Sequence, residues 1–206
     1  MIQSFRCKRT AALFAGESPP AWRAVARVAQ RKLAMLDAAQ ALRDLAVPPG
    51  NPLEGLFGDR AGQYSIRIDE RWRLCFVWSS RGPELVEIVD YHGFSREVRM
   101  NAKSVKPVNA MPAIHPGEIL REEFLVPLAL SVNALSLALM VPATRMHEIV
   151  NERRGITADT AYRLSRYFGT TPEFWLALQA DYDIKTLPNR DEIDRKVDAR
   201  PTGAAA

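Results

Sequence analysis

"GQYSIRIDERWRLCFVW", residues 62–78, decides how the first half of this chain folds. Tyr64, Ile66 and Ile68 alternate with polar residues, Asp69-Glu70-Arg71 is a charged turn, and Trp72, Leu74, Phe76 and Trp78 alternate on the way back. Period-two alternation on both sides of a short polar turn predicts a β-hairpin with one apolar face. "SSRGPE" (79–84) turns the chain once more, into a strand over Leu85–Asp90. Upstream, Trp22, Val25, Ala26, Ala29, Leu33 and Leu36 share one helical face between Ala21 and Leu36, with Pro19-Pro20 at its start. A second short helix is expected through Ala41, Leu42 and Leu45, closed by Pro48-Pro49-Gly50, and Ile2–Arg6 alternates briefly as a strand. Residues 1–92 therefore read as an α+β domain, two helices on an antiparallel sheet.

After His92 the pattern stops. "GFSREVRMNAKSVKPVNAMPA" (93–113) is small, polar and basic with no period that could face a core, so residues 93–110 read as a linker. Met100 or Met111 has the look of an older translation start. Beyond it, Glu118–Phe124, Val132–Leu139, Ala143–Glu152, Thr157–Tyr167 and Pro172–Ala180 each carry helical spacing, broken by Pro142, Gly155, Gly169 and Pro172. An all-α domain of five short helices is expected over 111–190, followed by a flexible tail over 191–206, which has little to bury.

Composition sets the bounds on function. The 206 residues are 47% hydrophobic and 25% charged, ordinary for globular chains. Apolar runs such as Val126–Leu130 are far shorter than a membrane span and the start has no signal-peptide pattern, so a cytoplasmic protein away from membranes is expected. Cys7 and Cys75 sit far apart in strand-like runs and read as small buried hydrophobes. With three histidines, none near another, no metal and no cofactor is expected. The net charge of +4 mildly favours an anionic partner. Residues 1–92 carry thirteen Lys/Arg against ten Asp/Glu, and eleven of the thirteen are Arg, whose rigid fork suits phosphate. For any one of them, plain surface charge is an equal alternative.

"SVNALSLALMVPATRMHEIVNERRG" (131–155) has the spacing of a helix-turn-helix. Leu135 and Leu139 on the first helix, Val141 in the turn, and Met146 and Ile149 on the second are all apolar; Ala138 permits close approach, and Pro142 suits the first turn of the second helix. The exposed face then offers Thr144, Arg145, His147 and Asn151, followed by Arg153 and Arg154, to base edges and phosphates of operator DNA. The turn position often held by glycine is Met140, and Glu148 and Glu152 oppose phosphate. Any two amphipathic helices of a bundle give similar spacing, so spacing alone leaves DNA binding open.

"HPGEIL" (115–120), "RRGITADTA" (153–161) and "RYFGTTPEFWL" (166–176) resemble the HigA antitoxin family of helix-turn-helix repressors, and the likeness runs from about Met111 to Ile184. It implies an operator-binding homodimer that represses its own operon and complexes a toxin. In that setting His115 is expected to fix a helix start, and Phe174-Trp175 to pack the core or the dimer interface. "AQRKLAMLDAAQALRDL" (29–45), "GDRAGQYSI" (58–66), "WRLCF" (72–76) and the terminal "DYH" (90–92) resemble the HigB branch of RelE-like toxins, nearest to its GraT–GraA members. This second likeness implies a small endoribonuclease acting on mRNA bound to the ribosome.

Cutting RNA with its own 2′-hydroxyl needs a proton acceptor, cations on the phosphate and an acid near the departing 5′-oxygen. Arg73 is the candidate clamp, because it alternates against Trp72 and Leu74 and so points away from the helices. His92 is the candidate acid, with Tyr91 beside it to stack on a base or orient phosphate. Toxins of the family usually carry His or Glu followed three residues later by Lys; here the run is Glu54-Gly55-Leu56-Phe57-Gly58-Asp59. Glu54 can take the acceptor role, but Phe57 supplies no cation, so Arg60 or Arg67 must replace it or the toxin is weak. The plain alternatives are that Glu54 is a surface carboxylate, that Arg73 pairs with Asp90, and that His92 only ends a strand. A repressor whose toxin half has decayed is the competing whole-chain reading. A linker of eighteen residues spans about 25 Å on average and holds the two halves at millimolar effective concentration.

Overall fold

The computed structural model describes residues 1–91 and 107–198. In the first half the order is α1 (Lys8–Phe14), a 3-10 turn (Pro20–Trp22), α2 (Ala26–Ala38), α3 (Arg43–Ala46), β1 (Leu53–Gly55), a 3-10 turn (Gly58–Arg60), β2 (Gln63–Arg67), β3 (Trp72–Ser79) and β4 (Gly82–Asp90). The strands form one antiparallel sheet in the order β1-β2-β3-β4. Ile66 faces Leu74, and Leu74 faces Ile88, so one side of the sheet carries an apolar row. Trp72, Phe76 and Trp78 extend that side and pack with Leu33, Leu36 and Ala29 of α2. The alternation of the hairpin thus places its apolar residues under the helices. A register shift between Cys75 and Val77 marks a bulge, where Leu85 takes φ +53°.

Several elements differ from the sequence expectation. Ile2–Arg6 forms only a single parallel bridge, Phe5 to Val86, although Gln3, Val86 and Arg6 amides bond between this segment and β4. The helix expected from Ala21 begins at Ala26, because Pro20–Trp22 closes first as a tighter turn that buries Trp22 edge-on against Trp72. α1 and β1 were not foreseen. Cys7 caps α1 and is half-buried, not part of a strand, whereas Cys75 is buried in β3.

The second half opens with α4 (Pro116–Ile119), which continues as a wider π-type turn over Leu120–Leu125. It is followed by α5 (Val132–Ala138), α6 (Ala143–Val150), α7 (Ala158–Phe168), α8 (Pro172–Lys185) and α9 (Arg190–Lys196). The starts are written in the sequence: side chains of His115, Ser131, Thr157 and Thr171 accept from amides of the first turns of α4, α5, α7 and α8. Pro116 and Pro172 occupy first-turn positions, and Gly169 closes α7 at φ +84°. His115 therefore does fix a helix start, its Nδ1 accepting from Gly117 N at 2.9 Å, and burial pushes its pKa below the usual histidine value. Phe174 and Trp175 are buried, with Phe124 stacked at a tilt on Trp175. α9 stands where a tail was expected; it buries nothing and carries an i,i+4 pair, Lys196 with Glu192.

The two halves share one apolar cluster and lie against each other through α2 and α8. Between them lie paired charges, all but Arg27 largely taken out of water. The guanidinium of Arg27 forks onto Glu118, Arg31 bonds Glu123 at 2.8 Å and Glu118 at 3.3 Å, and the Lys32 ammonium bonds Glu123 and Gly50 O. Lys32 and Glu123 are only 2% and 3% exposed. Burial pushes Lys32 below its ordinary pKa, against the pull of Glu123. Asp44, fully buried, accepts from Thr171 N at 2.6 Å and Thr171 Oγ1 at 2.9 Å, so a carboxylate from the first half sits at the start of α8. Asn109, near the end of the expected linker, bonds both Asp37 and Asp181. Burial raises the Asp37 pKa, opposed by the Ile2 amide.

Removing one member of a buried pair strands the other and costs about 3–5 kcal/mol, whereas replacing both by apolar residues is near neutral. Lys32→Met should therefore lower the urea-unfolding free energy by about 3 kcal/mol, with Arg31 retaining part of the charge balance, and adding Glu123→Leu should recover only part of that loss, because it also removes Arg31's 2.8 Å partner. Equal, additive losses would show that the pair is not coupled. Met140, 84% exposed, holds φ +54° in the turn between α5 and α6. A left-handed non-glycine residue costs about 1 kcal/mol, so Met140→Gly should raise stability by up to about that amount. An unchanged or lower melting temperature would contradict the strain.

Candidate functional site

The sheet has a second face, away from the helices, and its residues follow from the register. Glu54 faces Ser65, Ser65 faces Cys75, and Cys75 faces Glu87, so these four make one row across β1 to β4. In the next row Arg67 faces Arg73, and Arg73 faces Val89. Arg60, from the turn between β1 and β2, reaches back over the sheet to Glu87 at 3.0 Å and to Gln63 at 3.4 Å. Arg6 approaches the same Glu87 at 3.7 Å. Burial pushes the Cys75 thiol up to about 11, against the charge of Arg60, so it stays protonated at neutral pH.

Two features of this face cost stability. Like charges directly opposite on neighbouring strands repel, and Arg67 and Arg73 are such a pair. Nε and Nη1 of Arg73 are buried and meet no hydrogen-bond acceptor among the described residues. The guanidinium instead lies over the Tyr91 ring, 4.3 Å from its centroid. The alternative pairing of Arg73 with Asp90 does not occur: Asp90 bonds Arg71 at 2.6 Å. An anion placed between Arg67 and Arg73 would relieve both costs.

Of the expected catalytic group, then, Arg73 and Tyr91 are in contact and Arg67 is beside them, while Glu54 is exposed on β1. β1 and β3 are two strand spacings apart, about 10 Å, leaving room for a ribose–phosphate unit between Glu54 and Arg73. Arg60 is engaged with Glu87. His92 lies outside the described residues, as do positions 93–106 of the expected linker. Ser65 and Glu87 were missed as members of this face. Their signal was present, since they alternate with Ile66 and Ile88, but a buried Ser and a paired Glu carry no motif.

The helix-turn-helix forms where its spacing placed it. Leu135, Leu139, Met146 and Ile149 are buried and Val141 packs beside them. Thr144, His147, Asn151, Arg153 and Arg154 are exposed on or just after α6, and Arg145 is half-buried. Three of these side chains have partners. Arg145 bonds Asp159 at 2.8 Å, His147 bonds Asn133 at 3.0 Å, and Arg154 bonds Glu148 at 3.1 Å. Asp159 also accepts from Arg163, and these two arginines, Arg163 foremost, hold its carboxyl below the usual range. Asp159 thus steers Arg145 from α7, a role that spacing within α6 could not reveal.

Among the described residues no helix is long and apolar enough to cross a membrane. The family model described as "RelE-like toxin of type II toxin-antitoxin system HigB" matches residues 21–92. Toxin HigB-1 of Vibrio cholerae is 47% identical over 64 residues, covering 31% of this chain and 66% of that toxin. Antitoxin HigA-1 of the same organism is 35% identical over 80 residues, covering 39% of this chain and 75% of the antitoxin. Virulence-associated protein I of Dichelobacter nodosus is 62% identical over 77 residues, covering 37% of this chain and 71% of that protein. With a toxin-type match over its first half and antitoxin-type likeness over its C-terminal part, the chain belongs to the HigB–HigA toxin–antitoxin family.

Proposed function

We propose that residues 1–92 are a metal-independent endoribonuclease acting on mRNA at the ribosome, joined through residues 93–110 to an operator-binding antitoxin and autorepressor over 111–190. What supports the first part is the Arg73 guanidinium opposite Arg67 on the outer face of the sheet, whose Nε and Nη1 meet no acceptor among the described residues. In the reaction, Glu54 takes the proton of a ribose 2′-hydroxyl, and that oxygen attacks the adjacent phosphorus. Arg73 and Arg67 offset the charge growing on the phosphoryl oxygens. The 5′-oxygen leaves with a proton from an acid, the role assigned to His92, and a 2′,3′-cyclic phosphate remains. Glu54 is exposed and no lysine stands at position 57, so the rate is expected to be low.

A repressor with a decayed toxin half is the second reading, favoured by that same Phe57. Ribosomes programmed with mRNA separate the two. Cleavage by the full chain, lost on Glu54→Gln or Arg73→Gln with folding retained, supports the enzyme. No cleavage by a folded chain, with unchanged DNA binding, supports decay.

For the second part, α6 is proposed to lie in the major groove with Thr144, Arg145, His147 and Asn151 toward base edges and Arg153 and Arg154 toward phosphates. A homodimer through residues 111–190 would read half-sites about one helical turn apart. Arg145→Ala should weaken operator binding by about 1–3 kcal/mol and relax specificity at one position, whereas Arg153→Ala should weaken all sequences alike and flatten the salt dependence. Unchanged affinity in both would remove α6 from the groove.

A further inference from the structure

Phe57 is 89% exposed, the most exposed of the large apolar side chains among the described residues. Its loop is nevertheless fixed. Leu56 N bonds Gln63 O at 2.8 Å, Arg60 N bonds Phe57 O at 3.3 Å, and the Arg60 side chain ties the far side of the loop to Gln63 and Glu87. Around the tip, Gly55, Gly58 and Gly62 would meet nothing within 4 Å if given a Cβ, so the loop stands clear of the body. The sequence thus holds an aromatic ring in water on a braced hairpin, at the edge of a face lined by Arg60, Arg67 and Arg73. Leaving a phenylalanine exposed forfeits burial that a core position would gain.

We infer that Phe57 is a nucleobase-stacking subsite: a base of single-stranded RNA lies on its ring while the neighbouring phosphates meet the arginines of the sheet. This rests on the reading of that face as RNA-binding. Charge decides the occupant. An apolar partner surface would have to cover the facing guanidinium groups of Arg67 and Arg73, whereas a nucleotide offers a π face to the ring and an anion to that pair. Tyr91 is less suited, since one face of its ring is taken by Arg73. Phe57 lies three residues beyond Glu54 along an extended segment, about 10 Å away, so the stacked base belongs to a nucleotide beside the one whose 2′-hydroxyl meets Glu54. At the position where relatives of the resembled toxin group usually carry lysine, this chain has exchanged a charge for a ring. That exchange trades transition-state stabilisation for substrate grip.

The full chain can be tested as it stands, because the described contacts of the second half lie on the helix side of the sheet. The probe is a short single-stranded RNA with 2′-O-methyl riboses, which binds but offers no nucleophile. Phe57→Ala should weaken binding by about 5- to 100-fold, Phe57→Trp should retain it, and Phe57→Leu should resemble Ala. Full-strength binding by Phe57→Ala, with Arg73→Gln weakened, overturns the stacking subsite and leaves the face intact. Equal binding by Phe57→Ala, Arg73→Gln and the parent, or no binding by the parent, overturns both. Concentration-dependent self-association that Phe57→Ala abolishes, without any loss of RNA affinity, would assign the ring to a second copy instead.

Discussion

Everything in this chain is arranged around the charges buried between α2 and α4. Arg27, Arg31 and Lys32 stand at i, i+4 and i+5 on one face of α2, and Glu118 and Glu123 answer them from across the interface. Arg27 keeps much of its exposure, but desolvating the other four charges is expensive, and the attraction between them does little more than offset it. Each carboxylate is held by two cations of α2, Glu118 by Arg27 and Arg31 and Glu123 by Arg31 and Lys32. Asp44 adds a second fixed point of opposite sign, holding the start of α8 through Thr171. α2 thus serves two masters, with Ala29, Leu33 and Leu36 in the apolar cluster and its cations turned to the second half.

That geometry determines which surfaces remain for other partners. With the helix side of the sheet occupied, the Glu54–Glu87 and Arg67–Arg73 rows face away from the second half. α6 is held by packing against α5 and by the close approach of α4 at Gly117, where a Cβ would sit 1.8 Å from Ile149 O. Only glycine permits that approach, and this gives the "HPGEIL" stretch a physical meaning. The outer face of α6 is exposed at Thr144 and His147, and Arg145 on it and Arg154 just after it are paired with the carboxylates of Asp159 and Glu148.

Much of this was legible in the sequence because it is local. The β2–β3 hairpin, the helix start at His115 and the five apolar residues of the helix-turn-helix depend on neighbours a few positions away. α1 and β1 escaped notice because seven and three residues are too short to establish a period. α9 escaped because its stabilisation is charge pairing, which leaves no apolar stripe. The ion cluster could not be read at all, since its partners lie about ninety positions apart and each looks like an ordinary surface charge.

Arg73, Arg67 and Tyr91 could be named from strand alternation and the likeness to the toxins, but not their arrangement, which breaks the local rules that the rest of the chain obeys. A sheet tolerates two arginines face to face, a guanidinium without an acceptor and a ring in open water only at some cost in stability. Any one of these is unremarkable on a protein surface. Here all three belong to β1–β3 and the loop between β1 and β2, and the ion cluster that fixes the second half lies on the other side of the sheet, where each carboxylate meets two cations. Frustration on one face and satisfaction on the other are consistent with one surface holding a permanent neighbour and with the proposal that the other takes an anion.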